Sequence, residues 1–270
     1  MKQLLLALQF LTVIPIKVRG EVTEKDLVTS TIFFPIAGAL QGVVMGAAAV
    51  AGMRVFPPEV VSGLVILIQL LSDGGFDLDG LIDTFDALAV KSTRDPATDR
   101  EVRLSVMKDS TIGAMGAIAL VMTILLKFLF LNALFHSVPL TIALCMVFLM
   151  PAFSRWITVL AMHRGIAARR DGLGRIFLDN VRLSHVALST LLMFALYLSV
   201  TVVYLYGFYG VKSFGLLVLL WFSLFLFSLL SNSFSRQRFG GLTGDTFGAM
   251  SEISEILFLL VTSLWLQHAT

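Results

Sequence analysis

Apolar residues along this chain come in long, nearly uninterrupted stretches, unlike the alternating or one-face patterns of soluble strands and helices. A hydrocarbon layer of about 30 Å takes roughly 20 such residues per helix. The pattern predicts spans at about 32–53, 59–72, 113–135, 139–161, 183–208, 213–231 and 253–268. The second is short, and is expected either to continue as a helix into the acidic segment behind it or to pack inside the bundle. Leu4 to Ile14 is apolar but too short to cross, and no Ala-x-Ala-like cleavage site follows it. It reads as an uncleaved helix that lies in the interface or dips into the membrane. The expected fold is all-α: one polytopic membrane helical bundle, spanning residues 1–270, with about six to seven transmembrane helices.

Composition agrees with that reading. The 270 residues are 57% hydrophobic and 14% charged, with a mean hydropathy of +0.89, so lipid must solvate most of the surface. The net charge of +2 makes no case for nucleic acid as a partner. Cys145 is the one cysteine of the sequence, which leaves no intrachain disulfide or cysteine metal cluster and suggests a packing role.

The placement of charge says more than its sum. Basic residues fall in four groups: Lys2 to Lys25; Lys91, Arg94, Arg100, Arg103 and Lys108; Arg164 to Arg182; and Arg236 with Arg238. If seven spans alternate, all four lie on one face, which the positive-inside rule makes cytoplasmic, with the N-terminus inside and the C-terminus outside. Two cations sit within predicted spans. Lys127 is expected to mark a misplaced boundary or to snorkel to the interface. Arg155 comes near the cytoplasmic end of its span, in Pro151-Ala-Phe-Ser-Arg-Trp156.

Polar chemistry concentrates in three places. Between Asp73 and Asp86, five aspartates occupy fourteen residues, at 73, 77, 79, 83 and 86. On a helix, Asp79, Asp83 and Asp86 fall within an arc of roughly 60°. Like charges that close are unfavourable unless a cation lies among them. Oxygen ligands without His or Cys favour Mg²⁺ or Mn²⁺. Gly74-Gly75 supports a turn role for Asp73. The second place is Gly240-Gly-Leu-Thr-Gly-Asp245, followed by Glu252 and Glu255. Here Asp245 is expected just before a helix, the two glutamates within it, and Gly241 and Gly244 where backbone N–H groups could approach a phosphate. The third is Met107-Lys-Asp-Ser-Thr-Ile-Gly113: Asp109 or Ser110 can cap the next helix, while Lys108, backed by Arg103, can act as a phosphate counter-charge. Acids for a metal, cations for phosphates and a glycine loop on one membrane face point to phosphoryl or pyrophosphate chemistry.

At these residues the chain resembles the cobalamin synthase family, the adenosylcobinamide-GDP ribazoletransferases. The resemblance runs nearly end to end, through Phe10-Leu-Thr-Val-Ile-Pro15, Phe33-Phe-Pro-Ile-Ala-Gly38, Asp79-Gly-Leu-Ile-Asp-Thr-Phe-Asp86, Met107-Lys-Asp-Ser-Thr-Ile-Gly113, Phe153-Ser-Arg-Trp156 and Gly240 to Asp245 with Glu252 and Glu255. It implies Mg²⁺-dependent transfer of the adenosylcobinamide phosphate group from adenosylcobinamide-GDP to α-ribazole, or to its 5′-phosphate, with release of GMP. In that reading Asp79, Asp83 and Asp86 ligate metal and one of them, Asp86 or Asp83, acts as base. Lys108, Arg103 and Arg155 hold the diphosphate, with Asp109, Gly241 and Gly244 beside them. Asp245, Glu252 and Glu255 bind a second metal or orient the nucleotide. The expected location is the cell inner membrane, in contact with lipid, with room for a homo-oligomer or a complex with other cobalamin-assembly enzymes. The family often differs at Phe76-Asp77 and at Thr111, so neither Asp77 nor Thr111 is given a shared role.

Other readings fit less well. A CDP-alcohol phosphotransferase wants Ala-Arg shortly after its Asp-Gly, where this chain has Leu81-Ile-Asp-Thr84. A prenyltransferase would also use aspartate-rich helices and Mg²⁺. A divalent-cation transporter needs polar groups through the membrane's depth, whereas the acids here gather at one face.

Overall fold

The computed structural model describes residues 1–93 and 95–269. Arg94, counted above among the basic residues, lies outside them. Helix follows helix along the chain: α1 (Lys2–Leu11), α2 (Glu24–Ser30), α3 (Phe34–Gly52), α4 (Pro58–Asp73), α5 (Phe76–Ala89), α6 (Pro96–Val106), α7 (Ala114–Ser137), α8 (Leu140–Arg164), α9 (Leu173–Asn180), α10 (Leu183–Val200), α11 (Tyr206–Tyr209), α12 (Lys212–Phe239) and α13 (Gly244–Ala269). Among the described residues the extended backbone pairs only at an isolated parallel bridge, Ala167 to Leu242.

Six helical segments are long and apolar enough to cross a membrane: 24–52, 114–137, 140–164, 183–209, 212–239 and 244–268. The bent pair α4–α5 makes a seventh if counted as one span. The chain is therefore a multi-pass membrane protein. Large apolar side chains such as Val121, Leu191, Val202, Val218 and Phe222 stand exposed on α7, α10, α12 and the turn after α10, the side a lipid solvent would wet.

Local chemistry explains the element ends. Thr23 and Asp26 form a reciprocal capping box, so helix begins at Glu24, earlier than the predicted boundary at 32. The second span is found as α4, and its continuation into the acidic segment, α5, is bent away by 91° because Gly74 and Gly75 both take positive φ, 71° and 74°. Asp73 accepts from the Gly75 N–H at 2.9 Å and fastens that turn. At the last helix, Thr243 N–H donates to Thr246 Oγ1 and Thr246 N–H to Thr243 Oγ1, at 2.8 and 3.2 Å. This box starts α13 at Gly244, nine residues before the predicted span, so Asp245 sits in the first turn of α13 rather than ahead of it.

The centre of the bundle is α8, buried along nearly its whole length. Helix α3 can lie directly on it because Gly38 and Gly42 present no side chain there. A Cβ on Gly42 would come within 2.7 Å of Phe148 Cα.

Lys127 corrects the expectation of a boundary or snorkelling residue. It is 2% exposed at the middle of α7, with Nζ 2.7 Å from Glu252 Oε2 and 2.6 Å from Glu255 Oε2 on α13. Gln69 of α4 adds a hydrogen bond to Glu255 at 2.6 Å. A charge in an apolar bundle needs an opposite charge, and a neighbouring helix supplies two.

Candidate active site

At one end of the bundle the bend between α4 and α5, the last turns of α8, the loop before α9 and the start of α13 enclose a cavity of about 600 Å³. Of the residues singled out in the sequence, Asp79, Arg155, Gly244 and Asp245 line it. Five charged residues beyond that set, Asp73, Asp77, Arg169, Asp171 and Arg175, line it as well.

Helix packing sets these side chains. Gly80 of α5 lies on the backbone of α13, where a Cβ would meet Asp245 O at 2.6 Å, and Gly248 lies on α5, where one would meet Asp77 O at 2.8 Å. The two helices can cross this closely because each offers a glycine to the other. Arg155 Nη1 pairs with Asp77 Oδ2 at 2.6 Å, and Ser251 Oγ donates to the same oxygen at 2.9 Å. The partner of Arg155 is thus an aspartate to which the family resemblance gives no shared role. The signal for it was the arginine itself, since a guanidinium within a span requires a carboxylate.

Arg169 is placed by the loop that carries it. Ala168 N–H donates to Leu242 O at 2.9 Å and Leu242 N–H to Ile166 O at 2.7 Å. Those two bonds bring Arg169 Nη2 to 3.1 Å from Asp245 Oδ2. Gly241 belongs to the same junction: a Cβ there would run into the backbone of residues 166–168. Its glycine serves loop packing, and Gly241 is not among the residues that line the cavity. Gly244, by contrast, opens onto the cavity, where a Cβ would find nothing within 4 Å.

The trio on α5 divides. Asp79 is exposed at the cavity, and Asp83 is half-buried one turn on, with Asp79, Asp245, Asp86 and Arg169 as its charged neighbours. Among the described residues neither the Asp79 nor the Asp83 carboxylate has a hydrogen-bond or ion-pair partner. Asp86 is committed elsewhere. Its two oxygens accept from Gly113 N–H and Gly116 N–H, each at 2.7 Å, so it caps α7 from a neighbouring helix. A Cβ at either position would strike the carboxylate, so a larger residue there would displace Asp86 from the cap. The local caps expected from Asp109 or Ser110 are therefore replaced by Asp86. Asp109 instead closes its own turn with Thr111, whose hydroxyl and N–H hold the Asp109 carboxyl below the usual aspartate range.

Three further expectations change. Arg103 is buried on α6, donating to Ser92 Oγ at 2.7 Å and Arg238 O at 3.3 Å, which ties α6 to the loop before it and to the last turn of α12, away from the cavity lining. Lys108 is exposed in the loop before α7, beside Asp109 and away from the cavity. Glu252 and Glu255 pair with Lys127, and neither is among the residues that line the cavity.

Among the described residues no three Asp, Glu, His or Cys side chains converge into a ready-made metal cage. The donor set nevertheless fits a hard cation. Two unpartnered carboxylates stand one helical turn apart, with Asp245 as a charged neighbour, an arrangement suited to Mg²⁺ or Mn²⁺, which retain waters and share substrate oxygens.

No solved structure matches this chain. Curated relatives do. An adenosylcobinamide-GDP ribazoletransferase of Thermodesulfovibrio yellowstonii is 39% identical over 269 residues, 98% of each chain. One of Desulfitobacterium hafniense is 35% identical over 96% of each, and one of a Roseiflexus species 36% identical over 96% of this chain and 88% of its own. The family model described as cobalamin-5-phosphate synthase matches residues 3–263. With a match that covers nearly every helix described above, the chain belongs to the cobalamin-5-phosphate synthase family.

Proposed function

We propose that this chain is an adenosylcobinamide-GDP ribazoletransferase, moving the adenosylcobinamide phosphate group onto α-ribazole, or its 5′-phosphate, and releasing GMP. The observation that carries the reading is the cavity in which Asp79 and Asp245 share one space with the buried Arg155 and with Arg169. A diphosphate ester and an attacking hydroxyl need both signs of charge close together, and a membrane bundle places charge inside only where it is used or paired.

In the reaction a ribose hydroxyl of the acceptor attacks the phosphorus attached to the cobinamide side. The bond from that phosphorus to the bridging oxygen breaks, GMP leaves with the electron pair, and the hydroxyl proton passes to a carboxylate. Asp79 is the residue assigned to receive it, because its carboxylate is free and lines the cavity. Arg169 balances the negative charge of the diphosphate and is itself oriented by Asp245. Arg155, held by Asp77, presents a buried guanidinium at the cavity's lining. Asp83 and Asp245 would hold Mg²⁺ or Mn²⁺, whose chemistry is to neutralise charge on the transferring and leaving phosphates, which leaves Asp79 for the proton. Asp86 fixes α5 against α7 and so sets the face that carries the other two. The basic loops around this end support a site on the cytoplasmic side of the cell inner membrane, with the N-terminus inside.

The test is GMP release from adenosylcobinamide-GDP by detergent-purified protein, with and without α-ribazole and Mg²⁺, for the natural chain, Asp79→Asn and Asp83→Asn. Release that needs acceptor and metal and drops by about 10²–10⁴-fold in the variants is expected. Release by the natural chain that is indifferent to α-ribazole would overturn the assignment.

A further inference from the structure

The cavity has a second wall. Phe10 of α1, Phe34 of α3 and Phe177 of α9 meet there, with ring centroids 5.9 Å apart for Phe10–Phe34, 5.3 Å for Phe10–Phe177 and 6.2 Å for Phe34–Phe177. Phe34 and Phe177 are buried, while Phe10 remains 40% exposed. Three elements far apart in sequence are thus brought together to face a cavity whose opposite chemistry is ionic. The short helix α1 serves this wall: Lys2 pairs with Asp26 at 2.8 Å, and Val13 N–H donates to Ser72 O at 2.9 Å, which clamp both ends of α1 to the bundle.

Volume narrows the occupant. About 600 Å³ accommodates a nucleoside but not a corrinoid that carries a nucleotide. Two nucleosides take part in the proposed reaction, guanosine on the donor and ribazole as the acceptor, and the aromatic wall separates them. The edge of guanine carries several hydrogen-bonding groups that each need a partner when buried. Benzimidazole has an apolar carbocyclic edge and one free ring nitrogen. Beside Phe10 stands the amide of Gln9; the Thr158 hydroxyl already donates to Arg155 O at 2.7 Å and Arg175 is held by Asp179 at 3.0 Å, while Asp171 also lines the cavity as an exposed carboxylate. The three rings with the Gln9 amide match an apolar flat base with a single acceptor, whereas a guanine in the same place would have to be held through Asp171.

We infer that this cavity is the acceptor site, with a benzimidazole base against Phe10, Phe34 and Phe177 and the attached ribose turned toward Asp79 and Asp245, so that the corrinoid half of the donor stays outside. The inference rests on the reaction proposed above and adds which substrate the cavity takes and by which residues.

The experiment compares the natural full-length chain in detergent with Phe10→Ala, whose ring is on the surface and whose loss leaves the core intact, and with Phe177→Leu, which keeps bulk but removes the ring. Steady-state transfer is measured with each substrate varied, and equilibrium dialysis measures α-ribazole binding without donor. Both variants are expected to raise the KM for α-ribazole about tenfold and to weaken its binding equally, while the KM for adenosylcobinamide-GDP moves less than about twofold. Excess GMP is expected to leave α-ribazole binding unchanged. A KM effect on the donor instead, or competition by GMP, would assign the cavity to guanosine and overturn the inference, as would unchanged kinetics with both substrates. Should the natural chain bind α-ribazole through Phe10 yet fail to transfer, the site stands and the reaction assignment falls. Should it transfer with no loss in either variant, the reaction stands and the site assignment falls.

Discussion

Replacing Lys127 by Met tests the charge assembly inside the membrane. In the folded chain Lys127 Nζ lies between Glu252 and Glu255, with lysine and glutamate side chains only 1–2% exposed. Removing one member of a buried ion pair costs about 3–5 kcal/mol, because the remaining charge is left without solvent or partner. Glu255 would keep the Gln69 amide at 2.6 Å, whereas Glu252 would keep no cation. The expected loss is therefore one full buried pair rather than two, about 4 kcal/mol, or a fall in melting temperature of roughly 10 °C at the few degrees per kcal/mol usual for chains of this size. The three tryptophans provide the assay, by intrinsic fluorescence on heating in detergent. A triple variant, Lys127→Met with Glu252→Gln and Glu255→Gln, removes the charges together and is expected to regain most of the loss, since a buried pair exchanged for neutral groups is often close to neutral overall. A melting temperature for Lys127→Met within about 2 °C of the natural chain, or a triple variant no more stable than the single one, would refute the reasoning.

Other substitutions test single contacts. Gly80→Ala pushes a methyl to 2.6 Å from Asp245 O, so it is expected to cost about 1–3 kcal/mol and most transfer activity, whereas Gly63→Ala, with open space around it on α4, should raise stability by about 0.5–1 kcal/mol; thermal unfolding of the pair reads both. Asp86→Asn leaves α7 with one of its two cross-helix bonds and no capping charge, an expected loss of about 1–2 kcal/mol, and hydrogen exchange at Gly113 to Ala117 should rise while exchange in α10 does not. Asp95 caps α6, and the Thr98 hydroxyl with the Ala97 and Thr98 N–H groups depress its pKa. The cap is therefore fully present above the ordinary aspartate range and is lost as pH falls through the depressed value, so exchange protection at Ala97 and Thr98, corrected for intrinsic rates, should persist down to the ordinary aspartate range and fade below it.

Much of this architecture is legible along the chain, because a membrane span is a local property. Length and apolarity define α3, α7, α8, α10 and α12 before any contact is known, and helical periodicity alone puts Asp79 and Asp83 on one face of α5. The paired glycines at 74 and 75 announce a turn, although its 91° angle depends on what α5 packs against.

What the tertiary structure decided is which partner each polar group has. Arg155 and Asp77 are 78 positions apart, Lys127 and Glu255 128 apart, and Asp86 reaches across to Gly113 and Gly116. Each of these side chains has an acceptable local reading, as snorkelling cation, helix-dipole acid or metal ligand, and nothing in the neighbouring residues chooses among them. The choice follows from helix crossings, which bring distant groups into a low-dielectric space where an unpaired charge is costly. Sequence by itself determined a multi-helix membrane protein with an acidic helix at one end. Folding determined that Asp79, Asp245, Arg155 and Arg169 share a cavity, that Asp86, Glu252 and Glu255 are spent on holding helices together, and that three phenylalanines from separate elements form its apolar wall.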